Sequence, residues 1–349
     1  VFKTICSSPL KAIVLAATLA AGAASAAPST QFTVTGAVST PAAYDLAGLQ
    51  TLPSVTQTVT FASGTTPQTH TYTGASLWGV LDGAGIVTTP SKNDVLNRYV
   101  LATGSDGYQT VFSLGELNPG FGNRPDLLAY AETVNGVSSP LTSEGFARVT
   151  APGDVKGGRY VSNLVNLDVR SSGSTQAGTG GGVSSQFSVS GAVGNAMSFD
   201  LGALEGLTQI TQTVNGHLYT GVSFWDLLNK TVGIDLNPGV KNDVLGKYVV
   251  ATGSDGYKSL FSLGELSDAF GNQPDMIAYE VDGEMLTDTG FARLVVPNDV
   301  KAGRWVSNLV SLEVFSATPV PEPQTYALML TGLMAVAAIA RPKKQRQNV

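Results

Sequence analysis

The sequence is short of sulfur, of histidine and of charge. Of its 349 residues one is cysteine, Cys6, and two are histidine, His70 and His217. Cys6 lies in a segment that reads as removed on export, so the mature chain has no thiol, and disulfides and cysteine-metal sites are excluded. Charged residues make up only 13% of the chain, and acidic ones outnumber basic ones. That balance offers no broad basic surface for nucleic acid or anionic lipid. There is no Gly-x-Ser-x-Gly elbow, and the glycine-rich stretch near the middle lacks Gly-Lys-Ser/Thr, so it is no phosphate loop. Hydrophobic residues, at 43%, suffice for folded cores, and the length suits two domains.

The two ends are specialised. Residues 1–26 read as a secretory signal: Lys3 and Lys11 precede the apolar run Ala12–Ala21, and Ala24-Ser25-Ala26 supplies the small residues that signal peptidase needs, with cleavage after Ala26. Residues 318–349 hold Pro321-Glu322-Pro323, an apolar segment over 326–340, and then Arg341, Lys343, Lys344 and Arg346. An apolar segment of that length falls short of the roughly 20 residues of a full span, so it reads as a short or transient anchor with the basic cluster on the cytoplasmic side. In order and spacing this tail resembles the PEP-CTERM sorting signal of Gram-negative bacteria, which implies recognition by an exosortase. Six of the 20 basic residues and one of the 26 acidic residues lie in these ends, which leaves 14 against 25 and a net charge of −11 for the body. The chain is expected to be exported, to the periplasm, cell surface or exterior, touching membrane only through its tail.

Between the ends, one pattern occurs twice. Phe32-Thr-Val-Thr-Gly-Ala-Val38 recurs as Phe187-Ser-Val-Ser-Gly-Ala-Val193, and Lys92-Asn-Asp-Val-Leu96 with Tyr99 to Tyr108 recurs as Lys241-Asn-Asp-Val-Leu245 with Tyr248 to Tyr257. The spacing of about 150 residues exceeds that of solenoid repeats, so each copy is expected to be a domain, over 27–170 and 186–317. Residues 171–185, almost wholly Gly, Ser, Thr and Ala, read as a flexible linker. Within a copy, Tyr99–Thr103 and Tyr108–Phe112 flank Gly104-Ser-Asp-Gly107 as a hairpin. Ser113-Leu-Gly-Glu116 and Ser262-Leu-Gly-Glu265 fit helix capping boxes. Ser76–Ala84 is a further helix candidate, Ser223 caps its twin, and Val161–Val169 and Val306–Phe315 alternate as closing strands. The fold class is α+β: two tandem sheet-rich domains with short helices.

Tyr72-Thr-Gly-Ala-Ser-Leu-Trp78, Gly104-Ser-Asp-Gly-Tyr108, Ala151-Pro-Gly-Asp154 and Gly158-Arg-Tyr-Val161, echoed in the second copy, resemble the sulfite-oxidase-like molybdopterin-binding domain. The resemblance implies a molybdenum-binding thiolate in a loop shortly before Tyr72. Here that loop, Thr60–Thr69, has no cysteine, and the second copy has eight fewer residues there. No other soft donor replaces the thiolate. No cofactor is expected on this reading; by resemblance the one implied is molybdopterin.

Six residues are weighed as ligand contacts. His70 and His217 occupy matching places, as anion or ligand contacts or as polar residues on a strand edge. Asp106 and Asp255 sit in Gly-Ser-Asp-Gly turns, where turn formation competes with calcium binding, and the loop offers fewer oxygens than calcium wants. Arg159 and Arg304 suit a two-pronged clamp on phosphate or carboxylate, or pairing with nearby Asp154 and Asp299. The leading function is an exported surface or matrix protein whose degenerate domains bind or build rather than catalyse. The other readings are an exported molybdopterin-dependent oxidoreductase and a periplasmic binder of a small anion, and the partner is an unidentified anion or cell-surface molecule.

Overall fold

Period-two alternation sets most of the strands. In Phe32-Thr33-Val34 the Phe and Val are fully buried while the Thr between them is half-buried, as in a sheet with one covered face. The computed structural model describes residues 28–317. The first half contains β1 (Gln31–Gly36), β2 (Ala42–Asp45), β3 (Ser54–Ser63), β4 (Thr66–Ser76), β5 (Arg98–Gly104), β6 (Gln109–Ser113), β7 (Leu127–Val134), β8 (Val137–Pro140), β9 (Arg148–Thr150) and β10 (Leu164–Ser171). The second half repeats them as β11 (Phe187–Gly191), β12 (Met197–Phe199), β13 (Gln209–Val214), β14 (His217–Ser223), β15 (Lys247–Gly253), β16 (Lys258–Ser262), β17 (Met276–Val281), β18 (Glu284–Met285), β19 (Arg293–Val295) and β20 (Leu309–Ser316).

Each half is a pair of sheets. The inner sheet runs β2-β1-β10-β5-β6 in the first half and β12-β11-β20-β15-β16 in the second. The outer sheet runs β3-β4-β7-β8, with β9 also on β7, and is repeated as β13-β14-β17-β18 with β19 on β17. The α-helices are short, of three to seven residues: α1 (Leu46–Gln50), α2 (Leu77–Gly83), α3 (Leu114–Leu117), α4 (Leu201–Glu205), α5 (Phe224–Asp226) and α6 (Leu263–Leu266). The fold class is thus α+β and sheet-rich, two sheet pairs in tandem. Ser76 caps α2 and Ser223 caps α5, which continues as a π-helical stretch over Leu227–Val232.

β5 and β15 explain how the halves join. Both strands are buried on both faces, so one side chain in two points away from its own core. Val100 and Ala102 face the first core, whereas Tyr99 and Leu101 meet Tyr248, Val250 and Leu260 of the other half. The Tyr99 and Tyr248 rings lie 4.6 Å apart. Backbone bonds cross this seam in a matched pair: Val155 N donates to Phe270 O and Val300 N to Phe121 O, each at 2.8 Å. Residue i of one half meets j of the other and the reverse, so the contact is self-complementary, as between identical subunits.

Two expectations are corrected. The closing strands begin at Leu164 and Leu309, because Asn163 and Asn308 take left-handed backbone (φ 51° and 50°) and turn the chain just before them. The glycine-rich segment 171–185 is not loose. Gly173 N donates to Tyr248 Oη at 3.0 Å, Thr179 N and Gly181 N both donate to Ser254 O at 2.8 Å, and Ser254 Oγ donates to Gly182 O. Those backbone groups find partners on the second half, Ser172 N finds Asn97 O on the first, and composition alone does not report that. Among the described residues no helix is long and apolar enough to cross a membrane.

Candidate functional site at the seam

The site grows out of the two capping boxes. Ser113 ends β6, its Oγ accepts from Glu116 N at 2.9 Å, and Glu116 Oε1 accepts from Ser113 N at 2.8 Å. α6 repeats this with Ser262 and Glu265 at 3.0 and 2.9 Å. A capping carboxylate retains further lone pairs, and here each is used. Ser262 Oγ donates across the seam to Glu116 Oε1 at 3.1 Å, and Ser113 Oγ donates to Glu265 Oε1 at 3.1 Å. Arg159 Nη1 donates to Glu116 Oε2 at 2.7 Å, and Arg304 Nη1 to Glu265 Oε2 at 2.8 Å.

The remaining arms of each guanidinium form a fork. Arg159 Nε and Nη2 reach the two oxygens of Asp154 at 2.8 Å each, and Arg304 reaches those of Asp299 at 2.9 and 2.6 Å. Arg159 lies over Phe112 and Arg304 over Phe261. Glycine is required opposite them: a Cβ on Gly115 would stand 2.6 Å from Arg304 Cδ, and one on Gly264 2.7 Å from Arg159 Cδ. Arg159 is 0% exposed and Arg304 3%. Both arginines weighed as ligand clamps are therefore internal, held by carboxylates of their own half, and face no free ligand.

Two further carboxyls lie beside this network without a protein partner for either oxygen, Asp126 and Asp275. Burial pushes Asp126 up to about 8, against the pull of Arg159, and pushes Asp275 up to about 7, against that of Arg304. Burial also raises Glu265, with Arg304 opposing it and Glu116 adding to it. Removing six carboxyls from water beside two guanidiniums leaves the excess negative charge unmatched, and proton retention relieves it.

Above the buried network the seam opens into two matching clefts of about 480 and 320 Å³. The first is lined by Ser105, Asp106, Tyr108 and Asn163 with Lys241 and Asn242 of the other half; Ser254, Asp255, Tyr257, Asn308, Lys92 and Asn93 line the second. Tyr108 Oη donates to Gly158 O at 2.7 Å and accepts from Asn242 Nδ2 at 3.0 Å, and Tyr257 is held likewise by Gly303 and Asn93. Asp106 Oδ1 and Asp255 Oδ1 each accept from the backbone N of the tyrosine two residues on, at 2.9 Å. These aspartates shape their turns and also line the clefts. A larger concavity of about 600 Å³ beside Ser184, Asp200 and Phe291 contains none of the six candidates.

The histidines lie elsewhere, on the outer sheets. His70 Nδ1 is 2.6 Å from Glu132 Oε1, with its ring between those of Phe61 and Tyr72. His217 pairs with Asp282 at 2.6 Å and is exposed. Neither lines the clefts. Local reading missed the second use of Glu116 and Glu265 and the whole of Asp126 and Asp275; their available signal was that Pro125-Asp126 and Pro274-Asp275 repeat along with the capping boxes. Ala24, Ala26, Pro321, Glu322, Pro323 and Arg341 lie outside the described residues.

The segment where the resemblance implies a thiolate is a tight hairpin: β3 turns at Gly64-Thr65 into β4, and Thr60 and Thr69 hydroxyls bond to each other at 3.1 Å. In the second half an Asn215-Gly216 turn closes a shorter hairpin. Paired hydroxyls are hard, neutral donors, so this segment does not suit molybdenum. Among the described residues no group of three or more His, Cys, Asp or Glu is arranged to hold a metal ion. No family model matches the chain, and no curated protein does. Among solved structures the chain is similar to the sulfane dehydrogenase SoxCD from Paracoccus pantotrophus, at 13% identity over 80% of this chain and 77% of that one. The TM-score is 0.34, and at that level the likeness carries no weight for function.

Proposed function

We propose that this chain is an exported, exosortase-sorted surface or extracellular-matrix protein, and that its two domains, over 27–170 and 186–317, bind or build rather than catalyse. One observation carries the reading: Arg159 and Arg304, the strongest charged candidates for chemistry, are locked with Glu116, Asp154, Glu265 and Asp299 into a buried network that joins the halves. The lack of a thiol in the body supports it. The test is to express residues 27–317 alongside machinery that loads molybdopterin and to measure molybdenum by mass spectrometry. Metal-free protein is expected. Near-stoichiometric molybdenum would overturn the reading in favour of an exported oxidoreductase. The mass of the mature protein tests removal of residues 1–26 by signal peptidase and processing of the tail.

A second reading, capture of a small anion in the periplasm, is favoured by Lys241 and Lys92 at the mouths of the twin clefts. A thermal-shift screen of inorganic anions tests it. Stabilisation lost in Lys92→Ala/Lys241→Ala and kept in His70→Ala/His217→Ala is the expected pattern, since the histidines lie on other faces.

A further inference from the structure

Six threonines, four of them exposed and two, Thr71 and Thr73, half-buried, stand in three cross-strand pairs on one face of the β3–β4 hairpin. Their hydroxyls meet at 2.7 Å (Thr56 and Thr73), 2.9 Å (Thr58 and Thr71) and 3.1 Å (Thr60 and Thr69). β3 is the terminal strand of its sheet, ten residues long and without a charge or a proline. Only its far end is covered, where Ala62 N donates to Val155 O at 2.8 Å and Ala62 bridges Lys156. From Ser54 to Thr60 no strand pairs with its outer edge.

Proteins usually blunt such edges by shortness, charge or proline. The other exposed edges here follow that habit. β2 has four residues and ends in Asp45, β8 has four and ends in Pro140, β12 has three, and β18 has two and carries Glu284. β13 breaks the habit as β3 does: it is terminal in its sheet and uncharged over six residues.

The sequences of these two edges are also self-complementary. Val55-Thr56-Gln57-Thr58-Val59 reads the same in both directions, and Ile210-Thr211-Gln212-Thr213-Val214 nearly so. Laid antiparallel against itself about Gln57, β3 would place Thr56 opposite Thr58 of a second copy, and Val55, 48% exposed, beside that copy's buried Val59. The hydroxyl ladder would continue without a break, since each Thr oxygen both donates and accepts.

We propose that β3 and β13 are docking edges for a second copy of this chain, each pairing antiparallel with the same strand of its neighbour. Two such edges on one molecule make the contact open-ended, so copies join into a chain rather than a closed dimer. This deepens the structural reading of the two halves and rests on it for its purpose.

Residues 27–317, which contain both cores whole and no cysteine, serve for the test. By sedimentation velocity the unaltered protein should form concentration-dependent species larger than a dimer. Thr56→Lys/Thr58→Lys should stop assembly at the dimer, and adding Thr211→Lys/Thr213→Lys should leave monomer, with the far-UV circular dichroism spectrum of the folded protein unchanged. Under mild oxidation Thr56→Cys/Thr58→Cys should cross-link between copies, and Thr58→Cys alone roughly tenfold less, because diagonal positions exceed disulfide reach. A protein that is monomeric at every concentration, assembly unaffected by all four lysines, or collapse to monomer on blocking one edge would each overturn the proposal. Molybdenum-loaded protein that still cross-links at Thr56 and Thr58 would retain edge pairing and remove the non-catalytic reading; metal-free protein that stays monomeric would do the reverse.

Discussion

At the seam the two halves match bond for bond, whereas their outer sheets have drifted apart. Arg159 and Arg304 hold equivalent carboxylates at nearly equal distances, and Ser113 and Ser262 each reach 3.1 Å across to the opposite glutamate. On the outer sheets the β13–β14 hairpin is eight residues shorter than β3–β4. There His70 is sandwiched between rings while its counterpart His217 is exposed, and behind them Trp305 replaces Tyr160. The difference follows from what each region surrounds. A buried charge whose partner is altered loses several kcal/mol, whereas an exposed hairpin tolerates length and side-chain changes at little cost.

The largest way to break this comparison is to remove one guanidinium. Arg159→Ala should strand Glu116 and Asp154 in the interior and cost about 3–5 kcal/mol of stability in urea titration, and Arg304→Ala should cost nearly the same. A cost confined to one of the pair would end the equivalence of the halves.

Next comes pH. Below about pH 4 the Asp126 carboxyl is protonated whether the chain is folded or not. As pH rises the unfolded chain releases that proton first, while the folded chain holds it until about 8, so this contribution is complete at low pH and is lost progressively up to about pH 8. Asp275 acts in the same sense, with its window closing near pH 7. Asp126→Asn should therefore flatten the fall in thermal midpoint between pH 4 and 8 more than Asp275→Asn does. Equal slopes in all three proteins would contradict the burial of these groups.

Smaller effects sharpen the picture. Ser113→Ala and Ser262→Ala each remove a cap and a cross-seam bond, and each should cost about 1–2 kcal/mol in thermal unfolding. Combined, they should depart from additivity, because both serines serve the same two glutamates. At the outer sheets, His70→Ala should lower stability by about 0.5–1 kcal/mol through lost ring contacts, and His217→Ala should leave the thermal midpoint where it is.

Much of the fold was legible because its signals are local. The hairpin at Gly104–Gly107, the boxes at Ser113 and Ser262, and the helix after Ser76 each depend on residues within one turn of each other. The site was legible only in part. The bond from Ser113 to Glu265 joins residues 152 apart, and no local pattern encodes such a meeting. Arg159 beside Asp154 was weighed as a pair because the two are close in sequence, but the third partner, Glu116, arrives from a different element. The linker misled for the opposite reason. Its glycines describe an unfolded chain that bends freely, whereas Gly173, Thr179 and Gly181 find acceptors on the second half only once that half has folded.

Trp78 lies in the first half, and Trp225 and Trp305 lie in the second, so tryptophan fluorescence reports each separately. In urea unfolding of one variant retaining only Trp78, and of another retaining only Trp225 and Trp305, the fluorescence midpoint should coincide with the far-UV circular dichroism midpoint of the same variant, because the buried Arg–Glu–Ser network makes the halves one cooperative body. Two transitions separated along the urea axis, each confined to one set of tryptophans, would show that the seam does not join them.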